Sequence, residues 1–298
     1  MFFTDNNKMS GYILHKNKDR VTFFSFQENK NEPTSIVKVY DRSGKDCLQE
    51  KLKLLQQVML TCEEPLKDSI PKMLDLIDAG RYCLVFEEYT SGVTLESLAQ
   101  RQKLFWQRSF SSHLGLAGEW LAGFHRKTLQ SPVVIPAEKI AFLFDKISFY
   151  IADLFVGVPH NDVSIPVVCC HGDFRPANIM LKKNKVVVLD WDNMRRSGLP
   201  LLDLLEFILR YVHSRFRLQK KDVYLQPECF LAYFNLFYAR DSSLSAMVKE
   251  KINQYASSVG LGERERNVLL LIWLYKMLYI NEKDKFSCFP EGLQQFLI

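Results

Sequence analysis

The residue types best suited to chemistry lie in the segment 171–178, which reads HGDFRPAN, and at the acidic site that follows it. A carboxylate such as that of Asp173 can orient a hydroxyl group and take up its proton. The amide oxygen of Asn178 and the carboxylate of Asp190, twelve residues later, are hard oxygen ligands that suit Mg²⁺. These three residues are the minimal set for moving a phosphoryl group from ATP to a hydroxyl.

Two neighbouring residues extend this set. Arg175 lies two residues after Asp173 and can reach the transferred phosphate as a cation. Asp192 can assist the metal or face the solvent, and the sequence leaves both open. The main alternative is that all these polar residues only close a surface loop. The full pattern of His-Gly-Asp-x-x-Pro-x-Asn, a β-hairpin and Asp-Trp-Asp is specific enough to favour phosphoryl transfer.

The elements that must position these residues can be predicted from apolar patterns. An apolar strand precedes the segment 171–178, and a hairpin formed by Ile179–Leu181 and Val186–Leu189 follows it. The hairpin would bring Asn178 and Asp190 close together. Upstream, alternating and apolar runs predict strands at Tyr12–Leu14, Val21–Phe26, Ser35–Tyr40 and Tyr82–Phe86. Leu48, Leu52, Leu55 and Met59 recur at helical spacing.

The second part of the chain has a helical pattern. Helices are predicted around Leu114–Phe124, over Ala141–Phe155 and throughout the region after Asp203. We therefore expect an α+β fold with two domains. Residues 1–90 form a small β-rich lobe and residues 91–298 a larger helical lobe that carries the segment 171–178, with a connector near 87–92.

His125 and His171 are given structural roles at this point. His125 ends a predicted helix, and His171 is expected to hold its loop by hydrogen bonds to the backbone. The adjacent Cys169 and Cys170 make a poor chelate, and no second cysteine pair exists, so buried packing is expected for them.

The segment 171–178, together with Leu189–Asp192, Gly198, Pro200 and Asp203, resembles the aminoglycoside phosphotransferase and choline kinase family. That family has the bilobal protein-kinase-like fold and uses ATP and Mg²⁺. The resemblance implies that residues 1–90 are a nucleotide-binding lobe. It also implies that Asp173 and Arg175 are catalytic and that Asn178 and Asp190 bind the metal.

The resemblance adds nucleotide-binding residues in the small lobe. Lys38, on a short apolar strand, matches the lysine that contacts the α- and β-phosphates of ATP. Glu50 is the best match to the helix glutamate that pairs with that lysine. Glu87 and Tyr89 fall where the hinge contacts adenine through backbone groups.

The chain departs from a protein kinase in two places. The tip of the first hairpin, residues 16–19 (KNKD), contains no glycine, so Lys16 or Lys18 would have to replace backbone contacts to the phosphates. Asp190 is followed by Trp191 and Asp192 rather than Phe-Gly, and no Ala-Pro-Glu follows. A small-molecule acceptor is therefore favoured over a peptide.

Composition limits the class of protein. The 298 residues are 47% hydrophobic and 24% charged, as in soluble globular domains, and the net charge of +5 does not argue for nucleic acid. The most hydrophobic run, Val268 to Ile280, contains Lys276 and predicts a buried helix rather than a membrane span. The seven scattered cysteines and the polar residues after Phe3 predict a cytoplasmic protein without a signal peptide. The oligomeric state is open.

The acceptor is constrained only by bulk charge. Residues 195–298 carry 15 basic and 11 acidic side chains, which leans towards a neutral or anionic acceptor over a polycation. The function expected is transfer of the γ-phosphate of ATP to a hydroxyl of a sugar, sugar conjugate, amino alcohol or aminoglycoside-like molecule. The alternative is a nucleotide-binding pseudokinase that acts as a regulatory or scaffolding module.

Overall fold

The chain is described by a computed structural model with full side chains. The residues that the structure describes are 3–4, 7–8, 10–16, 20–26, 31–41, 45–64, 66–101, 106–151, 160–183, 185–216 and 227–279. Within them the chain divides into two compact units. Unit 1 contains Met1–Gly92 and Leu181–Asp192, and unit 2 contains Val93–Met180 and Asn193–Ile298.

Unit 1 is built on a five-stranded antiparallel sheet. Two short strands, β1 (Phe3–Thr4) and β2 (Asn7–Lys8), pair with each other. The main sheet has the strand order β3-β4-β5-β7-β6. Its strands are β3 (Ser10–Lys16), β4 (Arg20–Phe26), β5 (Ser35–Asp41), β6 (Met73–Ala79) and β7 (Tyr82–Glu88).

One face of this sheet packs against the helix α1 (Lys45–Thr61). Leu52 of α1 contacts Cys83 and Val85 of β7 in a small apolar cluster. Lys38 is paired with Val85 across β5 and β7, so its side chain points to the same face as that cluster. A buried lysine therefore lies beside an apolar core, a position that requires counter-ions.

The later part of unit 1 carries the acidic residues. Strand β11 (Ile179–Lys182) leads into β12 (Lys185–Val188), and the two are neighbours in a sheet. The predicted hairpin is thus confirmed. After β12 the indole Nε1 of Trp191 donates to the carbonyl oxygen of Val188 at 2.9 Å, and Trp191 is buried. This contact folds the acidic segment back on its own strand.

Unit 2 is mainly helical, which agrees with the predicted helices. The short strand β8 (Val93–Thr94) opens it. The long α3 packs against α5 and α7, and α7 begins with a capping box formed by Ser242 and Ser245. The helices are α2 (Leu95–Arg101), α3 (Trp106–Lys127), α4 (Ala137–Ile151), α5 (Leu202–Phe216), α6 (Pro227–Phe234), α7 (Ser243–Ser258) and α8 (Glu263–Tyr279).

The helix α8 contains the most hydrophobic run of the chain. Residues 268–275 are buried without interruption, so the helix is apolar all round, as expected for a core helix. Among the described residues no helix combines the length and the apolar character that a bilayer crossing needs.

A three-stranded antiparallel sheet lies within unit 2, in the order β13-β10-β9. The central strand β10 (Val163–Cys170) precedes the segment 171–178, and its last four residues are buried. The edges are β9 (Gln130–Ile135) and β13 (Arg195–Gly198). Gly198 is required here because a Cβ atom at this position would overlap the Cys170 sulfur.

The mixed helix and sheet composition predicted from the sequence is observed. The predicted strands of the first lobe correspond to β3, β4, β5 and β7, and the predicted helices to α1, α3 and α4. Residues 17–19 of the glycine-free tip lie outside the described residues. The end of the helix that was predicted to reach Phe155 also lies outside them. The assignment of residues 1–90 and 91–298 to nucleotide-binding and catalytic domains stays a prediction.

Leu52 provides a test of the packing of α1. We expect Leu52→Ala to lower the free energy of unfolding by about 2–5 kcal/mol, because it removes a buried contact with Cys83 and Val85. Leu60 on the same helix is 82% exposed, so Leu60→Ala is the matched control and should change stability by under about 0.5 kcal/mol. Urea unfolding of both variants checks the difference; equal losses would contradict this packing.

Candidate active site

The predicted catalytic residues of unit 2 contact one another. The Asn178 Nδ2 donates to the Asp173 carboxylate Oδ2 and to the Asp173 carbonyl oxygen, both at 3.0 Å. The Arg175 Nε lies 3.1 Å from the same Oδ2. Asn178 is buried, whereas the Asp173 side chain is 18% exposed. Because Asn178 uses its amide nitrogen on Asp173, its amide oxygen Oδ1 is the atom left to bind a cation.

The backbone before Asp173 is held by a buried carboxylate. Asp203, near the start of α5, accepts hydrogen bonds from the backbone N–H groups of His171 at 2.7 Å and Gly172 at 3.1 Å. The His171 Nδ1 accepts from the backbone N–H of Asp173 at 3.2 Å, which confirms the structural role predicted for His171. Asp203 therefore fixes the direction in which the chain leaves β10.

Gly172 and Phe174 restrict the loop further. Gly172 has φ +79°, and a Cβ atom there would overlap the carbonyl oxygen of Asn193. Phe174 is fully buried between Trp120 and Phe207, at centroid distances of 5.8 and 5.9 Å. Phe174 thus anchors the loop in the core, while the side chains of its neighbours Asp173 and Arg175 are 18% and 39% exposed.

His125 supports the same loop from the end of α3. It is fully buried, and its Nδ1 lies 2.5 Å from the Tyr255 hydroxyl. The Tyr255 oxygen also accepts from the backbone N–H of Leu201 at 3.0 Å. Burial lowers the pKa of His125 to about 4, although Asp203 opposes this shift. His125 is therefore neutral near pH 7, and its predicted structural role is confirmed.

His125, Asp203 and Cys170 form a group whose possible ligand atoms lie within 4.8 Å of one another. Each already has another function. Asp203 accepts two backbone amides, His125 contacts Tyr255, and burial raises the pKa of the Cys170 thiol well above its usual value. This group therefore supports the loop from within the core. The burial of Cys170 agrees with the packing role predicted for it.

Unit 1 contains a second cluster, formed around two carboxylates. The Lys38 Nζ lies 3.1 Å from the Asp190 Oδ1, 3.2 Å from the Asp192 Oδ1 and 2.9 Å from the Glu87 Oε1. Arg20 donates through Nη1 to the Asp190 Oδ1 at 2.6 Å, through Nη2 to the Asp190 Oδ2 at 3.2 Å, and to Asp192. Two cations thus contact both carboxylates.

Further donors complete this carboxylate cluster. The Tyr40 hydroxyl donates to the Asp192 Oδ2 at 2.6 Å, and the Lys51 Nζ donates to the Asp192 carbonyl oxygen at 2.8 Å. Arg20 and Tyr40 face each other across β4 and β5, and Lys38 lies two residues from Tyr40 on the same face. The sheet itself therefore places the hydroxyl and both cations on one side.

The charges in this cluster shift one another's pKa values. Burial alone would lower the pKa of Lys38, but Glu87, Asp192 and Asp190 outweigh it and raise the pKa well above the usual value. Burial alone would raise the pKa of Asp190, but Lys38 and Arg20 hold it below the usual range. Lys38 is therefore protonated and Asp190 ionised at pH 7. Asp190 also has φ +62°, a conformation that aspartate tolerates better than most residues.

Glu50 and Glu87 have contacts other than those expected, and their nucleotide-binding roles stay predictions. Glu50 is exposed on α1, and among the described residues it forms no ion pair with Lys38. Glu87 provides a contact to Lys38 instead, because it lies diagonally across β5 and β7 on the same face. Glu87 is also paired with Ile36 and Met73 inside the sheet, so its backbone does not have the open edge expected of a hinge contact.

Tyr89 lies just beyond the end of β7. Its backbone N–H donates to the Thr34 carbonyl oxygen at 3.4 Å, and its ring contacts Phe24 edge to face at 5.6 Å. Its predicted contact with adenine stays a prediction.

Sequence reasoning missed Arg20, Tyr40 and Lys51. Tyr40 could have been found from the alternation of β5, since it shares a face with Lys38. Arg20 could not have been found in this way. Its position opposite Tyr40 depends on the register of β4 with β5, and its contact with Asp190 depends on a fold that brings Asp190 back to this sheet.

The oxygen donors in each unit suit a hard cation. Unit 1 offers the carboxylates of Asp190 and Asp192, and unit 2 offers the amide oxygen of Asn178. Mg²⁺ prefers such oxygen ligands and usually takes only one or two carboxylates from a protein. The chemistry of these donors therefore fits the predicted metal.

Comparison with known families agrees with this chemistry. Residues 114–227 match the phosphotransferase enzyme family. The predicted family resemblance is thereby confirmed. The match covers Asp173, Arg175, Asn178, Asp190 and Asp203, and it supports a kinase-type enzyme. Comparison with curated proteins gives no significant match to the chain.

A cleft of about 630 Å³ lies in unit 2 beside the edges of its sheet. It is lined by two arginines and by small polar and apolar groups, and none of its described lining residues is a carboxylate; these residues are Gln130, Ser131, Pro132, Val133, Val167, Arg195, Arg196 and Ser197. A cleft with this charge suits a neutral or anionic group and not a polycation.

Gly172 allows a test of the loop conformation. We expect Gly172→Ala to be less stable than Gly260→Ala by about 1–3 kcal/mol, because only the first variant adds an overlap to the strain of a positive φ. Gly260 has φ +76° with open space around it, so it is the matched control. Thermal unfolding of both variants measures the difference. Equal destabilisation would contradict the close approach to Asn193.

His125 predicts a dependence of stability on pH. Its pKa of about 4 lies below the value of 6.5 for an unhindered histidine, so the unfolded chain binds the proton first as pH falls. The stability that neutral His125 contributes is present above pH 6.5 and declines by roughly 3 kcal/mol as pH falls towards 4.

Urea unfolding at pH 7 and at pH 4.5 measures this loss. His125→Asn keeps a polar atom near Tyr255 and removes the titration, so this variant should lose less stability than the parent chain over the same interval. His160→Asn, at an exposed histidine, is the control and should behave like the parent chain. Identical pH dependence in all three proteins would refute the assignment.

Proposed function

We propose that the chain is an ATP- and Mg²⁺-dependent phosphotransferase that transfers the γ-phosphate of ATP to a hydroxyl of a small molecule, within a bilobal protein-kinase-like fold. The observation that carries the proposal is the contact of Asp173 with both Asn178 and Arg175, in a loop fixed by Asp203. The family match over residues 114–227 supports the same class of reaction.

Asp173 is proposed to orient the acceptor hydroxyl and to accept its proton. In the reaction the acceptor oxygen forms a bond to the γ-phosphorus, and the bond from that phosphorus to the β–γ bridging oxygen breaks, which releases ADP. Asn178 holds the carboxylate of Asp173 through Nδ2 and keeps Oδ1 for the cation. Arg175, next to Asp173, is available to stabilise negative charge on the transferred group.

The residues proposed to bind the nucleotide are in unit 1, and the proposed metal ligands are Asp190 of unit 1 and Asn178 of unit 2. Lys38 is protonated and held on a central strand, so it can contact phosphate oxygens without a change of charge. Asp190 and Asn178 would hold Mg²⁺, which supplies neutralisation of phosphate charge when bound. A cytoplasmic location is part of the proposal, as the seven scattered cysteines of the sequence predict.

The proposed acceptor is neutral or anionic. The basic excess after residue 195 and the cleft lined by Arg195 and Arg196 both disfavour a polycation. Sugars and sugar conjugates are therefore tested first, with amino alcohols and aminoglycosides as the contrasting cationic classes.

The alternative is a nucleotide-binding pseudokinase. One observation favours it: Arg20, Lys38 and Tyr40 contact all four carboxylate oxygens of Asp190 and Asp192. Stabilisation of the protein by Mg·ATP without phosphate transfer to any acceptor would support this alternative.

Asp173→Asn is the central test. We expect phosphate transfer to fall by at least about 10²- to 10⁴-fold, because the variant cannot accept a proton, while binding of ATP stays unchanged. Transfer is measured with labelled ATP against the acceptor panel, and ATP binding by thermal shift. Asp241→Asn, at an exposed aspartate of the same unit, is the matched control. Normal transfer by Asp173→Asn would refute the proposal.

A further inference from the structure

The contacts of Arg20 conflict with the proposed binding of a cation at Asp190. The Arg20 guanidinium donates to both oxygens of Asp190 and to the Oδ2 of Asp192. Its Nη1 lies 2.6 Å from the Asp190 Oδ1. A magnesium ion binds carboxylate oxygens at about 2.0–2.1 Å. A metal and this guanidinium therefore compete for the same oxygens.

The charges of the cluster identify Arg20 as the group that a metal would replace. Asp190 and Asp192 each pair with Arg20 and Lys38, Lys38 also pairs with Glu87, and the Lys51 Nζ contacts the Asp192 carbonyl oxygen. Removal of Arg20 would take one positive charge away from the two aspartates, and a divalent cation can replace that charge. The guanidinium thus lies where a positive charge offsets the negative charge of the two carboxylates.

Lys38 is held more firmly than Arg20. Its side chain is 6% exposed on a central strand. If Asp190 and Asp192 bind a metal, Lys38 keeps its ion pair with Glu87. Arg20 is 17% exposed at the first residue of β4, and among the described residues its ion pairs are with Asp190 and Asp192. Displacement of Arg20 therefore leaves the rest of the cluster intact.

We propose that Arg20 is an intramolecular competitor of the divalent cation at Asp190 and Asp192. Its guanidinium keeps the two carboxylates paired when no metal is bound, and a divalent cation must displace it to bind. The inference rests on the proposed role of Asp190 as a metal ligand. It adds a regulatory property: the contact of the Arg20 guanidinium with Asp190 and Asp192 raises the metal concentration at which the site fills.

The test measures binding of Mn²⁺ alone to the full chain, by the loss of the free-ion signal in electron paramagnetic resonance. We expect Arg20→Gln to bind Mn²⁺ at least about tenfold more tightly, because a competing positive charge within hydrogen-bonding distance is removed. Arg20→Lys, which keeps the charge but loses the bidentate contact, should be intermediate. Arg81→Gln is the matched control, since Arg81 is 76% exposed in the same unit and should not affect binding.

Asp190→Asn separates failure of this inference from failure of the proposed function. Loss of Mn²⁺ binding in Asp190→Asn, with no gain in Arg20→Gln, would overturn the competition and leave the metal assignment standing. Unchanged binding in Asp190→Asn would remove Asp190 from the metal site and overturn both.

Hydrogen exchange of the unaltered chain provides a second measurement if Arg20→Gln does not fold. Saturating Mg²⁺ should speed exchange at the backbone amides near the start of β4 and slow it at residues 190–192. Unchanged exchange at the start of β4, with slower exchange at 190–192, would show that the metal binds without displacing Arg20 and would overturn the proposal.

Discussion

Two carboxylates held side by side and partly out of water dominate the structure of unit 1. Asp190 and Asp192 repel each other unless positive charge lies between them, and the energy of that repulsion rises as water is removed. The sheet supplies this charge through Lys38 and Arg20, and a hydroxyl through Tyr40. The register of β4 with β5 and the burial of Lys38 bring these groups to the two carboxylates.

In unit 2 the polar loop 171–178 is held mainly through its backbone and through core packing. Asp203 satisfies two backbone amides at once, Gly172 allows the turn, and Phe174 anchors the loop in the core. Within this loop Asp173 contacts Asn178 and Arg175. A buried carboxylate that binds backbone N–H groups is stable because those groups would otherwise remain unsatisfied away from water. The loop is therefore positioned by the fold and not by the residues proposed to react.

Much of this arrangement could be predicted from the sequence, and the failures have a common cause. Apolar periodicity located α1, α3 and the central strands, because buried elements leave a strong pattern. The strands β6, β9 and β13 were not predicted, and each is at the edge of a sheet, where half the neighbours are absent and residues such as Pro132 are tolerated. Asp173, Asn178 and Asp190 lie in one short motif, whereas Arg20 and Glu87 reach their cluster only through long-range strand register.

The order of the chain through the two units has a consequence for biosynthesis. The chain passes from unit 1 to unit 2 after Gly92, returns at Leu181 and leaves again after Asp192. During synthesis from the N-terminus, the first 92 residues are complete long before Asp190 and Asp192 exist. Arg20 must therefore remain hydrated until some hundred further residues have been added, because both of its counter-ions come from the later segment. Unit 1 can be completed only after the whole of strand β10 and the loop 171–178 have been synthesised.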